Sequence, residues 1–198
     1  MVLGYHVIFT AYGFWLPNDP RGSWSDFVGS WELLRFGRAT KTTTRKSVAR
    51  QRHDSATRLA AKKALKYPAV QFTGPQARAI GIAFGKFVRR SEITVWACSI
   101  LPEHVHMVIG RHDYEVEQIV NLLKGAATSQ LIDDKLHPLA RFGLSDSRPP
   151  KCWAKGQWKV FLDNEERIRG SIRYVEENPI KEGKPLQHWS FVTPFDSV

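Results

Sequence analysis

An α+β fold with an antiparallel sheet is what the sequence predicts, and three features point to it. Four short runs rich in β-branched and aromatic residues, at 4–12, 93–100, 104–110 and 158–162, have the composition of strands. Longer segments between and after them repeat apolar residues at i, i+3, i+4 and i+7, the period of a helix with one buried side. The second and third runs are separated only by Leu101-Pro102-Glu103, enough for a hairpin turn.

Residues 4–12 (Gly-Tyr-His-Val-Ile-Phe-Thr-Ala-Tyr) form the first strand. They end in Trp15-Leu16-Pro17-Asn18-Asp19-Pro20-Arg21-Gly22-Ser23, a loop dense in turn formers. A basic insertion follows at about 31–70, and its Ala-rich part at 55–66, with Leu59 and Leu65, reads as a helix. Thr73-Gly74-Pro75 announces a helix over about 76–90, with Ala79, Ile82, Ala83 and Phe87 on one side. After the hairpin of 93–100 and 104–110, residues 115–131 place Val116, Ile119, Val120 and Leu123 at helical spacing. A polar, Pro-containing loop at about 137–151 leads to the fourth strand, 158–162. Asp163 with Glu166 three residues on has the form of a capping box, opening a last helix that Pro179 is expected to stop. The order β-α-β-β-α-β plus a final helix is that of a ferredoxin-like arrangement, an antiparallel sheet with two helices on one face.

A chain of 198 residues is expected to form one domain over 1–198, and 42% hydrophobic residues with 7 Trp and 11 Phe can build its core. No stretch approaches the roughly 18 apolar residues of a membrane span. The opening Met-Val-Leu-Gly-Tyr-His lacks the basic and hydrophobic regions of a signal peptide, so a cytoplasmic location is expected. Cys98 and Cys152 are too few for a disulfide framework or a thiolate zinc site.

The formal net charge of +10 is concentrated in one place. From Arg35 to Lys66 eleven basic residues, Lys41, Arg45, Lys46 and Arg50 among them, meet a single acid, Asp54; the remaining chain balances, eighteen against eighteen. Such a one-sided block is what a phosphate backbone attracts. A solvated loop that only aids solubility would carry the same charge.

Two places carry residues capable of chemistry. Along 104–110, His104 and His106 point to one face and Val105, Met107 and Ile109 to the other, so both imidazoles can reach one divalent cation. Two histidines on the polar face of an ordinary strand would look the same, and Val108 at the next position rules out a triad of histidines. In the last helix Ile168, Ile172 and Val175 make the buried stripe, while Tyr174 and Asn178, at i and i+4, project together beside it. Arg169 and Arg173 form a further i, i+4 pair able to hold phosphates. Tyr174 alone reads equally as a packing aromatic, and Asn178 before Pro179 as a helix-ending residue.

Together these motifs resemble the single-tyrosine transposases of the HUH endonuclease superfamily, especially the REP-associated type. His104-Val105-His106 is similar to their His-hydrophobic-His signature, and Tyr174-Val175-Glu176-Glu177-Asn178-Pro179 to their tyrosine helix. Tyr5-His6-Val7-Ile8-Phe9-Thr10, Trp15-Leu16-Pro17 with Asp19-Pro20-Arg21-Gly22, and Leu123-Lys124-Gly125 are also similar and stand in the same order. The match covers most of 4–190; the long basic insertion departs from it, and Asn178 stands where some relatives use Gln.

The resemblance implies a metal-dependent single-stranded DNA endonuclease and strand transferase acting at hairpins. Its Mg²⁺ or Mn²⁺ would be held by His104, His106 and Asn178, and Tyr174 would be the nucleophile that leaves a 5′-phosphotyrosine. A free phenol, with a pKa near 10, attacks poorly at neutral pH, so proximity to the cation is a requirement. Arg21, Lys41, Arg45, Lys46, Arg50, Lys124, Arg169 and Arg173 are the candidate DNA contacts. Relatives that transpose act as dimers, whereas REP-associated ones can be monomers, so the resemblance leaves the oligomeric state open and a homodimer is compatible with it. The alternative is a domesticated protein that binds hairpins without cutting them. No membrane partner is expected.

Overall fold

The computed structural model describes residues 1–17, 28, 30–39, 54–143 and 148–195. The described elements are β1 (Gly4–Thr10), α1 (Trp31–Leu34), α2 (Ser55–Lys63), α3 (Gly74–Arg90), β2 (Val95–Ile100), β3 (His104–Gly110), α4 (Val116–Asp133), a 3₁₀ turn at Ala140–Phe142, β4 (Trp158–Leu162) and α5 (Glu165–Lys181). The strands lie in the order β2-β3-β1-β4, every neighbouring pair antiparallel. This is the α+β arrangement that the element order implies.

The pleat of β3 divides the molecule into two layers. Val105, Met107 and Ile109 join Val7 and Phe9 of β1, Ile80 and Phe84 of α3, and Ile119 and Leu123 of α4 in the principal core. On the opposite sheet face Ala97, Val108 and Leu162 meet Ile168 and Val175 of α5 in a smaller core. The tyrosine helix therefore lies across the face that also carries His104 and His106, because side chains two residues apart on a strand share a side. Among the described residues no helix is long and apolar enough to cross a membrane.

Two helix details differ from the sequence expectation. In α3, Ile82 is 44% exposed, while Ile80 and Phe84 are fully buried. Two residues on from Ile80 is about 200° around a helix, so Ile82 has to face solvent once Ile80 faces the core. In α5 the cap is Asn164, whose side chain accepts the Arg167 N–H at 2.9 Å; Asp163 instead pairs with the Arg167 guanidinium at 3.1 Å. Pro179 does not stop this helix. It sits inside the last turn, and the helix runs on to Lys181. A proline near a C-terminus removes one i→i−4 bond but leaves later amides free to bond, and Glu182 N–H donates to Asn178 O at 3.2 Å.

The described part of the basic insertion packs on a small core of its own. Leu33 of α1 and Ala61 of α2 close on Leu16 of the first loop. Asp54 caps α2, accepting the Thr57 N–H at 2.9 Å, and the helix ends at Lys63, three residues before the expected limit. Arg21, Lys41, Arg45, Lys46 and Arg50 lie outside the described residues.

Gly81 of α3 has a structural duty. A β-carbon there would lie 2.0 Å from the Trp189 ring, which lies directly against the α3 backbone at that point. Gly81→Ala gains roughly 1 kcal/mol of helix propensity but must push an indole aside, an overpacking cost of about 1–3 kcal/mol. A lowered urea midpoint is the expected result, and a raised one would show that the segment carrying Trp189 gives way freely.

Candidate active site

The site begins with the pairing of β1 and β3. Ile8 stands opposite His106, Thr10 opposite His104, and His6 opposite Val108. Opposed residues share a sheet face, so His6, His104 and His106 all project toward α5. The backbone spaces alternate residues of β3 by about 7 Å. The rings of His104 and His106 nevertheless lean together to a centroid separation of 4.9 Å, nearly perpendicular to each other. His106 is 3% exposed, and the Phe14 ring packs against His104 at 5.2 Å.

α5 brings the other half. Its buried stripe of Ile168, Val175 and Pro179 seats the helix on the sheet, which turns the adjoining stripe toward the histidines. Tyr174 lies with its ring centroid 5.5 Å from that of His106 and 5.7 Å from that of His6. The residue is still 45% exposed, so an incoming strand has access. One turn on, Asn178 is buried. A further turn on, Glu182 places Oε1 3.8 Å from His104 Nε2. Lys181 sets its ammonium 5.1 Å from the centre of the Tyr174 ring while also pairing with Glu177 at 2.9 Å.

The second residue on β1 facing α5 is the one the sequence reading left without a role. His6 Nε2 lies 3.1 Å from His106 Nδ1, a hydrogen bond between two buried imidazoles. Burial pushes the pKa of His6 down to about 4. His106 is held well below the ordinary histidine value, first by burial and then by its neighbours His104 and His6. Both rings are therefore neutral near pH 7, with nitrogen lone pairs available. Strand alternation puts His6 on the same face as Ile8 and Thr10, and the β1–β3 register brings it to His106. Glu182 escaped notice for a different reason: a helix expected to stop at Pro179 has no next turn.

The donor set bears on whether a divalent cation fits. His104 and His106 each offer an imidazole nitrogen, and Asn178 offers an amide whose Nδ2 has no hydrogen-bond partner among the described residues. Turning that amide over exchanges its oxygen and nitrogen at no steric cost, so its oxygen is as available as its nitrogen. Among the described residues no group of three or more His, Cys, Asp and Glu side chains is arranged to hold a metal, so the amide would have to complete the set. Two imidazoles and an amide oxygen would make a mixed nitrogen and oxygen donor set for a divalent cation that keeps waters in its remaining positions.

The structure separates the expected DNA contacts from one another. Arg169 and Arg173 are exposed on α5, on the other side of its buried stripe from Tyr174; there they border a 510 Å³ cleft with Trp96 and Phe195. Arg169 also pairs with Glu165 at 3.7 Å. Lys124 is no surface contact. It is 7% exposed, and its ammonium donates to the carbonyls of Ala154 at 2.9 Å and Gly156 at 2.6 Å, pinning the segment that leads into β4. Burial lowers its pKa to about 8. Lys124→Ala removes both bonds, and a loss of about 2–3 kcal/mol of stability is expected from chemical denaturation, with hairpin affinity unchanged. A large fall in affinity with no loss of stability would return Lys124 to the DNA-facing set.

No family model matches the chain, and no curated protein does. Among solved structures, the fold is similar to that of a REP-associated tyrosine transposase bound to a REP hairpin, at 14% identity and a TM-score of 0.47, over 91% of this chain and 68% of that one. It is also similar to a chain from Deinococcus radiodurans R1 that carries a provisional transposase assignment, at 14% identity and a TM-score of 0.42, over 90% of this chain and 91% of that one.

Proposed function

We propose that this protein cuts and rejoins single-stranded DNA at hairpins, with Tyr174 as nucleophile. The observation that carries the reading is the Tyr174 ring 5.5 Å from that of His106, which in turn lies 4.9 Å from the His104 ring. Ordinary packing would satisfy the tyrosine alone. It does not account for two imidazoles packed together beside a half-exposed phenol, with a buried amide lacking a partner for its nitrogen one turn along the same helix.

His104, His106 and Asn178 would hold Mg²⁺ or Mn²⁺, which when bound polarises a phosphoryl oxygen and orients the scissile phosphate. The Tyr174 oxygen forms a bond to phosphorus as the bond from phosphorus to the 3′ oxygen breaks. The phenol gives up its proton, and the departing 3′ oxygen gains one. The product is a 5′-phosphotyrosine and a free 3′-hydroxyl. Because the phosphodiester is replaced by a phosphoester of similar energy, a second 3′-hydroxyl can reverse the step and join strands without ATP. Lys181 keeps a positive charge over the ring that carries negative charge during the transfer. The basic block and Arg169 and Arg173 would hold the DNA backbone, a contribution that weakens steeply with salt.

A DNA single strand with a foldback hairpin, incubated with the protein and Mn²⁺, is expected to yield a covalent protein–DNA adduct resistant to denaturant. Tight, salt-sensitive hairpin binding with no adduct under Mn²⁺ or Mg²⁺ would replace this reading with that of a non-catalytic hairpin binder.

A further inference from the structure

We propose that His6 is a positioning residue for this site: it accepts the Nδ1–H of His106 and so leaves Nε2 of that ring as the coordinating nitrogen. The inference rests on the metal-binding reading of His104 and His106 given above, and it concerns a residue on a different strand.

The geometry follows from the sheet. His6 and His106 are diagonal neighbours, since His6 is opposite Val108 and His106 is opposite Ile8. Diagonal pairs are too far apart for short side chains but within reach of rings. Here they meet at 3.1 Å between His6 Nε2 and His106 Nδ1, with ring centroids 5.4 Å apart. Both residues are buried, at 8% and 3% exposure, so water competes little for the bond. The rings of Tyr174 and Trp158 pack on His6 at 5.7 and 6.4 Å and fix its orientation.

Two neutral imidazoles share one proton in such a bond, and there are two ways to place it. If His6 donates, the proton of His106 must be on Nε2, and that nitrogen has no lone pair for a cation. If His106 donates from Nδ1, its Nε2 is unprotonated and can coordinate. Only the second arrangement is compatible with His106 as a ligand. His6 then does for His106 what a carboxylate or carbonyl commonly does for a metal-bound histidine, setting both tautomer and ring orientation.

The test has two arms. In the metal-free wild-type protein, long-range ¹H–¹⁵N spectra are expected to show His106 protonated on Nδ1. Protonation on Nε2 would overturn the proposal whatever becomes of the metal. In the second arm, Mn²⁺ affinity is measured by calorimetry on wild type, His6→Gln and His6→Leu, with hairpin binding in chelator as the check on folding. His6→Gln keeps an acceptor where Nε2 lies and is expected to stay within about threefold of wild type. His6→Leu is expected to bind about 10–100-fold more weakly. Wild-type affinity in the Leu variant would overturn the role of His6 alone, whereas failure of wild type to bind Mn²⁺ would overturn the metal reading and this proposal with it.

Discussion

Tyr174→Phe is expected to abolish the covalent DNA adduct while leaving hairpin binding intact. The substitution removes one oxygen and keeps the ring that packs beside His106 and His6. Because Tyr174 is 45% exposed, the change in stability should stay within about 0.5 kcal/mol. Removal of a covalent nucleophile ordinarily costs about 10⁴-fold or more, which places the variant below detection in a gel assay. Undiminished adduct would remove Tyr174 from the reaction.

The second large effect is expected from His106→Ala. Loss of one of two imidazole ligands should weaken Mn²⁺ binding and withdraw a contribution of several kcal/mol to phosphoryl transfer, about a thousandfold in adduct rate at fixed metal. Hairpin affinity in chelator should be unchanged, since backbone contacts do not pass through the buried ring. His106 is 3% exposed and bonded to His6, so the variant should also melt at lower temperature, having lost about 2–4 kcal/mol of packing and hydrogen bonding. Raising Mn²⁺ should restore part of the rate if the defect is one of affinity. An adduct rate equal to that of wild type at the same limiting Mn²⁺ would show that the imidazole pair serves packing only.

How much of this was legible in the sequence depends on how local each feature is. Alternation along 104–110 separates the His pair from Val105, Met107 and Ile109, and the structure has that division. The 3.6-residue period of α5 puts Tyr174 and Asn178 beside the stripe of Ile168 and Val175, again a property of one segment. The face of the sheet on which α5 lies is less local, yet it follows once Val108 and Val175 have to share a core.

What the sequence hid is of two kinds. His6 and His106 are a hundred residues apart, and no periodicity encodes a diagonal contact that only the register of β1 on β3 creates. Lys124 looked like a phosphate contact because its charge is visible in the sequence and its burial is not; two backbone carbonyls of the 154–156 segment are what hold it inside. Pro179 misled through a sound rule applied one turn too early, since a proline in the last turn removes a single bond and the helix continues past it. That extra turn carries Glu182 to His104.

The placement of Tyr174 beside the imidazoles is tested most directly by locating the covalent bond. Trypsin, cutting after Arg173 and Lys181, releases Tyr174-Val175-Glu176-Glu177-Asn178-Pro179-Ile180-Lys181 as one peptide. After reaction with hairpin DNA and nuclease trimming, mass spectrometry should find the residual 5′-nucleotide on that peptide. A nucleotide on any of the other four tyrosines, or on no tyrosine at all, would contradict it.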